Sequence, residues 1–126
     1  MNNNGYRIVV DAGHGGSDPG AVSGNLQEKD FNLKAANYMY ERFRELGVPV
    51  AITRDDDTTL TRRERTSAMT DTFGNDSKVI VLSNHINAGG GEGAEVVYPL
   101  RTSSTLPAMI LDEIGERGQI KRKYYQ

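Results

Sequence analysis

The sequence predicts an α/β fold: a mostly parallel twisted sheet flanked by helices, in a single domain over residues 1–126. Short segments rich in β-branched residues alternate with longer segments in which apolar residues recur at helical spacing. This alternation is typical of parallel strands joined by crossover helices. The first strand segment, residues 6–11, is a nearly continuous apolar run, as expected for a strand covered on both faces.

The amino-terminal half is predicted to contain two strands and two helices. The first strand leads into a glycine-rich loop over residues 12–25. A helix follows over residues 30–46, with Asp30 as its N-cap and Gly47 as its C-cap. Its inward face is predicted to carry Phe31, Ala35, Tyr38 or Met39, Phe43 and Leu46. A second strand near the sheet edge spans residues 48–53, and a helix rich in Arg and Thr spans residues 61–73.

The carboxyl-terminal half is predicted to add two strands and one helix. Residues 78–83 form the strongest strand prediction after the first, and residues 94–99 form a fourth strand. Ser103 or Ser104 is predicted to cap a last helix, which contains Met109, Ile110, Leu111 and Ile114. Residues 117–126 are basic, include two tyrosines and have no predicted place in the sheet.

Composition excludes several kinds of site and partner. The chain has no cysteine, so a metal would have to be held by His and carboxylate groups. The formal net charge is -2 and the pI about 5.7, so no basic field attracts nucleic acid. No apolar run reaches the roughly 20 residues that a membrane helix requires. We therefore predict neither nucleic-acid binding nor membrane insertion, and the oligomeric state is left open.

The two histidines of the chain occupy equivalent places. His14 lies in Asp-Ala-Gly-His-Gly-Gly directly after the first strand, and His85 lies in Ser-Asn-His-Ile-Asn directly after the third. A single histidine beside glycine is more often structural or solvated. Two histidines at the carboxyl ends of two strands can face one point, and this is where α/β folds place their sites. The pattern therefore favours a shared metal site.

A catalytic zinc typically has three protein ligands and a water molecule, so a third ligand is required. Glu28 stands just before the predicted first helix and can fold back towards His14 across the glycine-rich loop. An acidic residue near a helix start is also favourable for the helix dipole alone. Spacing does not distinguish Glu28 from Asp18 or Asp30 as the third ligand.

A family resemblance distinguishes them. The chain resembles the zinc-dependent N-acetylmuramoyl-L-alanine amidases in motifs that occur in the same order: Ile-Val-Val-Asp-Ala-Gly-His-Gly-Gly-Ser-Asp-Pro-Gly-Ala over residues 8–21, Glu28, Thr53-Arg54, Leu60 with Arg63, and Ser-Asn-His-Ile-Asn-Ala over residues 83–88. The resemblance implies that His14, Glu28 and His85 bind one zinc ion per chain. It also implies that Asn87 and Arg63 lie near the site, where they support the ligands or contact the substrate.

The resemblance implies hydrolysis of the amide bond between N-acetylmuramic acid and the L-alanine of the stem peptide in bacterial peptidoglycan. Zinc in such a site lowers the pKa of bound water to about 7, and a general acid and base must serve the leaving amine. The family leads us to expect a glutamate on a late strand, in a motif like Glu-x-Gly-Phe. No such motif follows residue 91, so the catalytic base is unassigned. The late glutamates are predicted to be solvated surface residues: Glu92, Glu95, Glu113 and Glu116.

The missing motif leaves three interpretations open. The chain is the amino-terminal part of a longer amidase domain, which we favour, or a partner chain completes it, or it has kept zinc and wall binding without turnover. The alternative function is a non-catalytic, zinc-dependent peptidoglycan-binding module. A phosphate cradle in the glycine-rich loop is disfavoured, because the loop lacks both the Gly-Lys-Ser/Thr ending and the Gly-x-Gly-x-x-Gly spacing.

The expected place of action is the cell wall, because peptidoglycan lies outside the cytoplasmic membrane. The amino end lacks the basic and apolar regions of a secretory signal. This fits a phage endolysin, a lysin released by the mother cell, or an autolysin whose signal has been removed.

Overall fold

The structure is a computed structural model that describes residues 4–89 and 91–126. From the amino end its elements are β1 (Arg7–Ala12), β2 (Val22–Ser23), β3 (Leu26–Gln27), α1 (Glu28–Glu45), β4 (Val50–Ile52), α2 (Arg62–Asp71), β5 (Val79–Asn84), β6 (Ala94–Val97), α3 (Thr105–Glu116) and β7 (Lys121–Tyr125). Their order confirms the predicted α/β fold. They divide into two compact units, one ending at Ala88 and one beginning at Gly89. Among the described residues, no helix has the length and apolar character needed to cross a membrane.

The first unit is built on a three-stranded parallel sheet with the order β4-β1-β5. β1 lies in the centre and is buried along nearly its whole length, as its apolar run predicts. β4 forms one edge of this sheet, also as predicted. β1 and β5 pair in register from Arg7 with Val79 to Ala12 with Asn84, so the two strands end at the same level.

The two faces of β1 carry different groups, because successive side chains of a strand alternate. On one face Ile8, Val10 and Ala12 form the core with Ala36 of α1, and the residues that pack against this core are Met39, Phe43, Val48, Val50, Ile52, Ile80 and Leu82. Burying a side chain such as Val10 stabilises the fold by about 1.5–3 kcal/mol. Asp11 points to the other face and is only 2% exposed, so its carboxylate requires partners within the fold.

Helix α1 begins at Glu28, two residues before the N-cap that was expected at Asp30. No side chain caps this start. Instead the preceding loop supplies the acceptors: the Glu28 amide donates to the Ala21 carbonyl at 2.9 Å, and the Lys29 amide donates to the Pro19 carbonyl at 3.1 Å. Free amides of a first helical turn need such partners. The prediction of Asp30 as N-cap is wrong because loop carbonyls start the helix earlier.

The end of α1 agrees with the prediction. Gly47 has a φ of 73°, in the left-handed region that favours glycine. Its amide donates to the Arg44 carbonyl, and the Val48 amide donates to the Phe43 carbonyl. This pair of bonds is a Schellman motif, which terminates the helix.

The inward face of α1 differs from the predicted face in its first half. The buried residues of the helix lie one turn apart and are Glu28, Asn32 and Ala36. Met39 and Phe43 continue this face and pack on the core as predicted. Two residues predicted to face inward are exposed, Phe31 and Ala35, and of the alternatives Tyr38 and Met39 it is Met39 that faces inward. The apolar pattern misleads here because the first two turns bury polar groups.

The second unit contains helix α3 and a parallel pair of strands, β6 and β7. The prediction that residues 117–126 have no place in a sheet is wrong, because β7 lies within them. All five residues of β7 are exposed, so this strand has no apolar signature in the sequence. β6 was expected in the same sheet as the first three strands, and it pairs with β7. Helix α3 follows Ser104, one of its two predicted caps, and buries Pro107 and Leu111.

Candidate metal centre

His14 and His85 follow two neighbouring strands. Ala12 at the end of β1 pairs with Asn84 at the end of β5, and the Gly13 amide donates to the Asn84 carbonyl at 3.2 Å. His14 has a φ of 60°, a left-handed conformation that costs a residue other than glycine on the order of 1–3 kcal/mol. The centroids of the His14 and His85 rings are 4.9 Å apart. The predicted convergence of the two histidines is therefore present in the structure.

Glu28 reaches the same place from the first turn of α1. Its side chain is 5% exposed. One carboxylate oxygen, Oε1, accepts hydrogen bonds from the Ile86 amide at 2.7 Å and from Asn32 Nδ2 at 3.3 Å. The other, Oε2, accepts from the Ala21 amide at 2.9 Å. These donors hold the carboxylate between the loops that carry the two histidines.

The three side chains form a compact set of possible metal ligands. His14 Nε2 lies 3.3 Å from Glu28 Oε2, and His85 Nδ1 lies 3.2 Å from Glu28 Oε1. One ligand atom from each of the three residues lies within 4.8 Å of the others. His14, Glu28 and His85 could therefore hold a metal ion together.

Two glycines make room for this set. A Cβ atom at Gly13 would lie 2.5 Å from His85 Nε2, and one at Gly20 would lie 2.6 Å from both Glu28 Oε2 and His14 Cδ2. Real Cβ atoms do not approach other atoms so closely. The backbone therefore forms a cradle that only glycine leaves open, and the donor set of two imidazoles and one carboxylate fits a metal such as zinc.

The charge of Glu28 is stabilised in spite of its burial. Burial by itself would raise the pKa of the Glu28 carboxyl, but hydrogen bonds from the Ala21 and Ile86 amides and from Asn32 outweigh it. The pKa of Glu28 is therefore lowered. Glu28 is thus an anion near neutral pH, the form in which a carboxylate binds a metal.

Asp18 and Asp30, the two alternatives for the third ligand, have other places. Asp18 Oδ2 lies 2.8 Å from His14 Nδ1. Because a carboxylate only accepts, Asp18 favours the His14 tautomer with the proton on Nδ1, in which Nε2 is free to bind a metal. A carboxylate that orients a metal-binding histidine in this way is common. Asp30 is exposed on α1 and does not belong to the set.

Arg54 holds the backbone that carries His14. Its side chain is 4% exposed, and its guanidinium group donates to the carbonyl oxygens of Ala12, Gly13 and His14 at distances of 2.7–3.1 Å. Burial lowers the pKa of Arg54, and repulsion from Arg65 adds to this. The sequence marked Arg54 only as part of a motif, without a role.

A second arginine near His14 comes from α2, and it is not the predicted one. Arg63 is exposed, whereas Arg65 donates to the His14 carbonyl at 2.8 Å. The sequence offers only an indirect signal for Arg65, which precedes the apolar residues Ala68 and Met69 by three and four positions and so shares their face of α2. Which atoms Arg65 contacts is not indicated by this spacing. The role expected of Arg63 from the resemblance stays a prediction.

Two further polar residues near the site were not anticipated. Asn32 Nδ2 donates to the Gly13 carbonyl at 3.1 Å as well as to Glu28. Asn84 Nδ2 donates to the Asn32 carbonyl at 3.0 Å, which joins α1 to the end of β5. Asn87, which was predicted to lie near the site, is exposed just beyond His85, and its role stays a prediction.

The chain that carries this arrangement matches a known protein family. A family profile described as N-acetylmuramoyl-L-alanine amidase matches residues 8–126, a span that contains all three residues of the site. The chain belongs to the N-acetylmuramoyl-L-alanine amidase family. The resemblance seen in the sequence motifs is thereby confirmed.

Individual members of the amidase family show the same similarity. The chain is 40% identical over 98 residues to the N-acetylmuramoyl-L-alanine amidase CwlM of Bacillus licheniformis, over 74% of this chain and 36% of that protein. The catalytic domain of the amidase CwlV from Bacillus (Paenibacillus) polymyxa var. colistinus superposes with a TM-score of 0.79 at 30% identity, over 95% of this chain and 69% of that one. The amidase of Clostridium difficile 630 has a TM-score of 0.84 at 23% identity, over 96% of this chain and 69% of that one, which shows a likeness of fold.

The chain spans only part of its curated amidase relatives. It covers 36% of CwlM and 36% of the sporulation-specific N-acetylmuramoyl-L-alanine amidase of Bacillus subtilis. The activity of those longer proteins therefore comes to this chain only as a proposal.

The late glutamates of this chain differ in their surroundings. Three are exposed, as predicted: Glu92, Glu113 and Glu116. The prediction of a solvated residue is wrong for Glu95, whose side chain is 14% exposed and lies 3.3 Å from Arg122 Nη1. Tyr125 also donates to Glu95, at 3.4 Å. Both partners belong to β7, the strand that the sequence pattern did not reveal.

Proposed function

We propose that this chain binds one zinc ion at His14, Glu28 and His85 and hydrolyses the amide bond between N-acetylmuramic acid and L-alanine in peptidoglycan. The observation that carries the proposal is the convergence of these three side chains within 4.8 Å. Two imidazoles and a carboxylate are a donor set typical of catalytic zinc. Membership of the amidase family supports the choice of bond.

Zinc in such a site supplies Lewis acidity, which activates a water molecule and polarises a carbonyl. The residues of the chain prepare the site for it. Glu28 is kept ionised by three hydrogen-bond donors, and Asp18 favours the His14 tautomer that leaves Nε2 free for the metal. The side chain of His85 is 45% exposed, so the substrate can approach from its side of the site.

A proton must reach the leaving amine, and no residue is assigned to this step. Of the late glutamates, Glu95 is already paired with Arg122. General acid–base groups typically contribute about 10²–10⁴-fold to a rate. We therefore expect this chain by itself to hydrolyse peptidoglycan slowly.

The decisive experiment is a digestion of purified peptidoglycan with the zinc-loaded chain. New amino-terminal L-alanine is labelled and counted against time, with His14→Ala as the matched control. Release by the wild type above the His14→Ala background supports hydrolysis. Equal release by the two proteins rules out hydrolysis by this chain.

A second candidate function is a zinc-dependent peptidoglycan-binding module without turnover. The engagement of Glu95, a late glutamate, by Arg122 favours it. Sedimentation with intact cell walls separates the two functions, because a binding module pellets in a zinc-dependent way and releases no L-alanine termini. With either function the proposed place of action is the cell wall, where a hydrolytic chain would act as an endolysin or an autolysin.

A further inference from the structure

Asp11 anchors a polar cluster behind the metal centre. Its carboxylate accepts hydrogen bonds from Thr53 Oγ1 at 2.7 Å, from Ser83 Oγ at 2.6 Å and from Arg65 Nη1 at 2.6 Å. The ion pair of Asp11 with Arg65 is well shielded, since the two side chains are 2% and 19% exposed. None of these four residues belongs to the ligand set.

The two arginines converge on one atom, the carbonyl oxygen of His14. Arg54 Nε lies 2.7 Å from this oxygen and Arg65 Nη2 lies 2.8 Å from it. The two guanidinium groups repel each other at this distance, and their hydrogen bonds to the shared carbonyl oxygen offset the repulsion. The carbonyl has two lone pairs, and the two guanidinium groups fill its bonding capacity.

The same guanidinium groups also hold the preceding peptide units. The Ala12 carbonyl accepts from Arg65 Nη1 at 2.7 Å and from Arg54 Nε at 3.1 Å. The Gly13 carbonyl accepts from Arg54 Nη2 at 3.0 Å. The three successive carbonyls of Ala12, Gly13 and His14 are therefore fixed by one side chain from the loop after β4 and one from α2.

We propose that Arg65 is a positioning residue, which with Asp11 and Arg54 holds His14 in its left-handed conformation so that the ring meets His85 before any metal binds. The inference rests on the proposed metal site and explains how that site is preorganised. His14 has a φ of 60°, and without restraint its backbone would return to commoner conformations that turn the ring away. Holding several carbonyls at once requires the multiple N–H donors of a planar guanidinium group, whereas lysine offers only a single charged nitrogen.

The test compares Arg65→Lys with two controls. Arg62→Lys changes an exposed arginine of the same helix. Thr53→Val removes a different hydrogen bond to Asp11, so it lowers stability without touching the His14 carbonyl. The first measurement is the nuclear Overhauser effect between the two histidine rings in the metal-free proteins, which is simple to assign because the chain has only two histidines. The second is zinc affinity by competition with a chelator.

We expect Arg65→Lys to lose the contact between the rings and to bind zinc about 10–100-fold more weakly, the usual effect of changing a residue behind a metal ligand. Arg62→Lys and Thr53→Val should keep both properties, although Thr53→Val unfolds at a lower temperature. An unchanged ring contact and a zinc affinity within twofold of wild type in Arg65→Lys would overturn the proposal. So would equal losses in Thr53→Val, because the effect would then follow stability alone.

Failure of the proposed function is distinguishable from failure of this inference. If the wild type binds no zinc, the proposed metal site is wrong. The contact between the His14 and His85 rings in the metal-free proteins still tests the role of Arg65. If Arg65→Lys does not fold, Asp11→Asn takes its place, because it weakens the anchor of Arg65 and keeps the arginine. A ring contact in Asp11→Asn identical to that of wild type would then overturn the proposal, and a weakened contact would support it.

Discussion

Glu28 accepts a 2.7 Å hydrogen bond from the backbone amide of Ile86, the residue that follows His85. The bond ties the first turn of α1 to the loop after β5. In the proposed metal site Glu28 therefore has two tasks: it offers an anion to the metal, and it satisfies a backbone donor of the loop that carries His85. Any change at Glu28 should affect both metal retention and stability.

The three carboxylates that spacing alone could not rank, Glu28, Asp18 and Asp30, should give three distinct results. Glu28→Ala should abolish zinc retention and destabilise the fold by about 1–3 kcal/mol for each buried donor left without an acceptor. Asp18→Ala should weaken zinc binding by about 10–100-fold, because His14 loses the group that orients its ring. Asp30→Ala serves as the control and should retain zinc. Metal analysis after chelator challenge, with urea unfolding in parallel, measures these effects, and strong zinc loss in Asp30→Ala would contradict the assignment.

The glycine cradle makes a steric prediction. Gly13→Ala should displace the His85 ring and reduce zinc retention, because the new Cβ would lie 2.5 Å from Nε2. Gly47→Ala is the matched control: its φ is 73° with no atom within 4 Å of an added Cβ, so it should cost about 1–2 kcal/mol of stability and leave zinc unaffected. Zinc content per chain and thermal unfolding of both variants check this, and full zinc retention in Gly13→Ala would speak against the cradle.

Stability should fall in acid because of Asp11. Burial would raise the pKa of Asp11, but hydrogen bonds from Ser83, Thr53 and Arg65 outweigh it, and the pKa lies below its ordinary value of 3.8. The unfolded state therefore binds the proton more readily than the folded state. The stabilisation from Asp11 is fully present above its unfolded pKa and is lost as the pH falls through the lower folded pKa.

Urea unfolding at a series of pH values from about 6 to about 3 tests the contribution of Asp11. Asp11→Asn should be less stable at neutral pH and lose less stability in acid than the wild type. Ser83→Ala removes a donor that lowers the folded pKa of Asp11, so its acid loss of stability should be smaller in total and should end at a higher pH than in the wild type. An acid loss in Asp11→Asn as steep as that of wild type would show that other groups cause it.

Arg63 and Asn87 are exposed, so any role in hydrolysis should be contact with the substrate. Arg63→Ala and Asn87→Ala should leave zinc affinity within twofold of wild type and raise KM for soluble peptidoglycan fragments, with a smaller effect on kcat. Steady-state kinetics and zinc competition measure the two properties. A loss of zinc by either variant would instead assign that residue to the support of the ligands.

Much of the site follows from local sequence patterns. β-branched runs that end in glycine or polar residues identify β1 and β5, and parallel pairing then places His14 and His85 at one edge of the sheet. The start of α1 could not be read in this way, because it depends on the carbonyls of Pro19 and Ala21 rather than on a capping side chain. The inward face of its first turns was misread for a related reason, since polar residues occupy it.

The sequence by itself determined the α/β fold, the two histidines and, through its family motifs, the choice of Glu28. These features depend on residue type and on spacing along the chain. The tertiary structure alone decided that Arg65 rather than Arg63 reaches the His14 carbonyl, and that β7 pairs with β6 and brings Arg122 to Glu95. Both results depend on contacts between residues far apart in the chain, whose partners a local pattern does not specify.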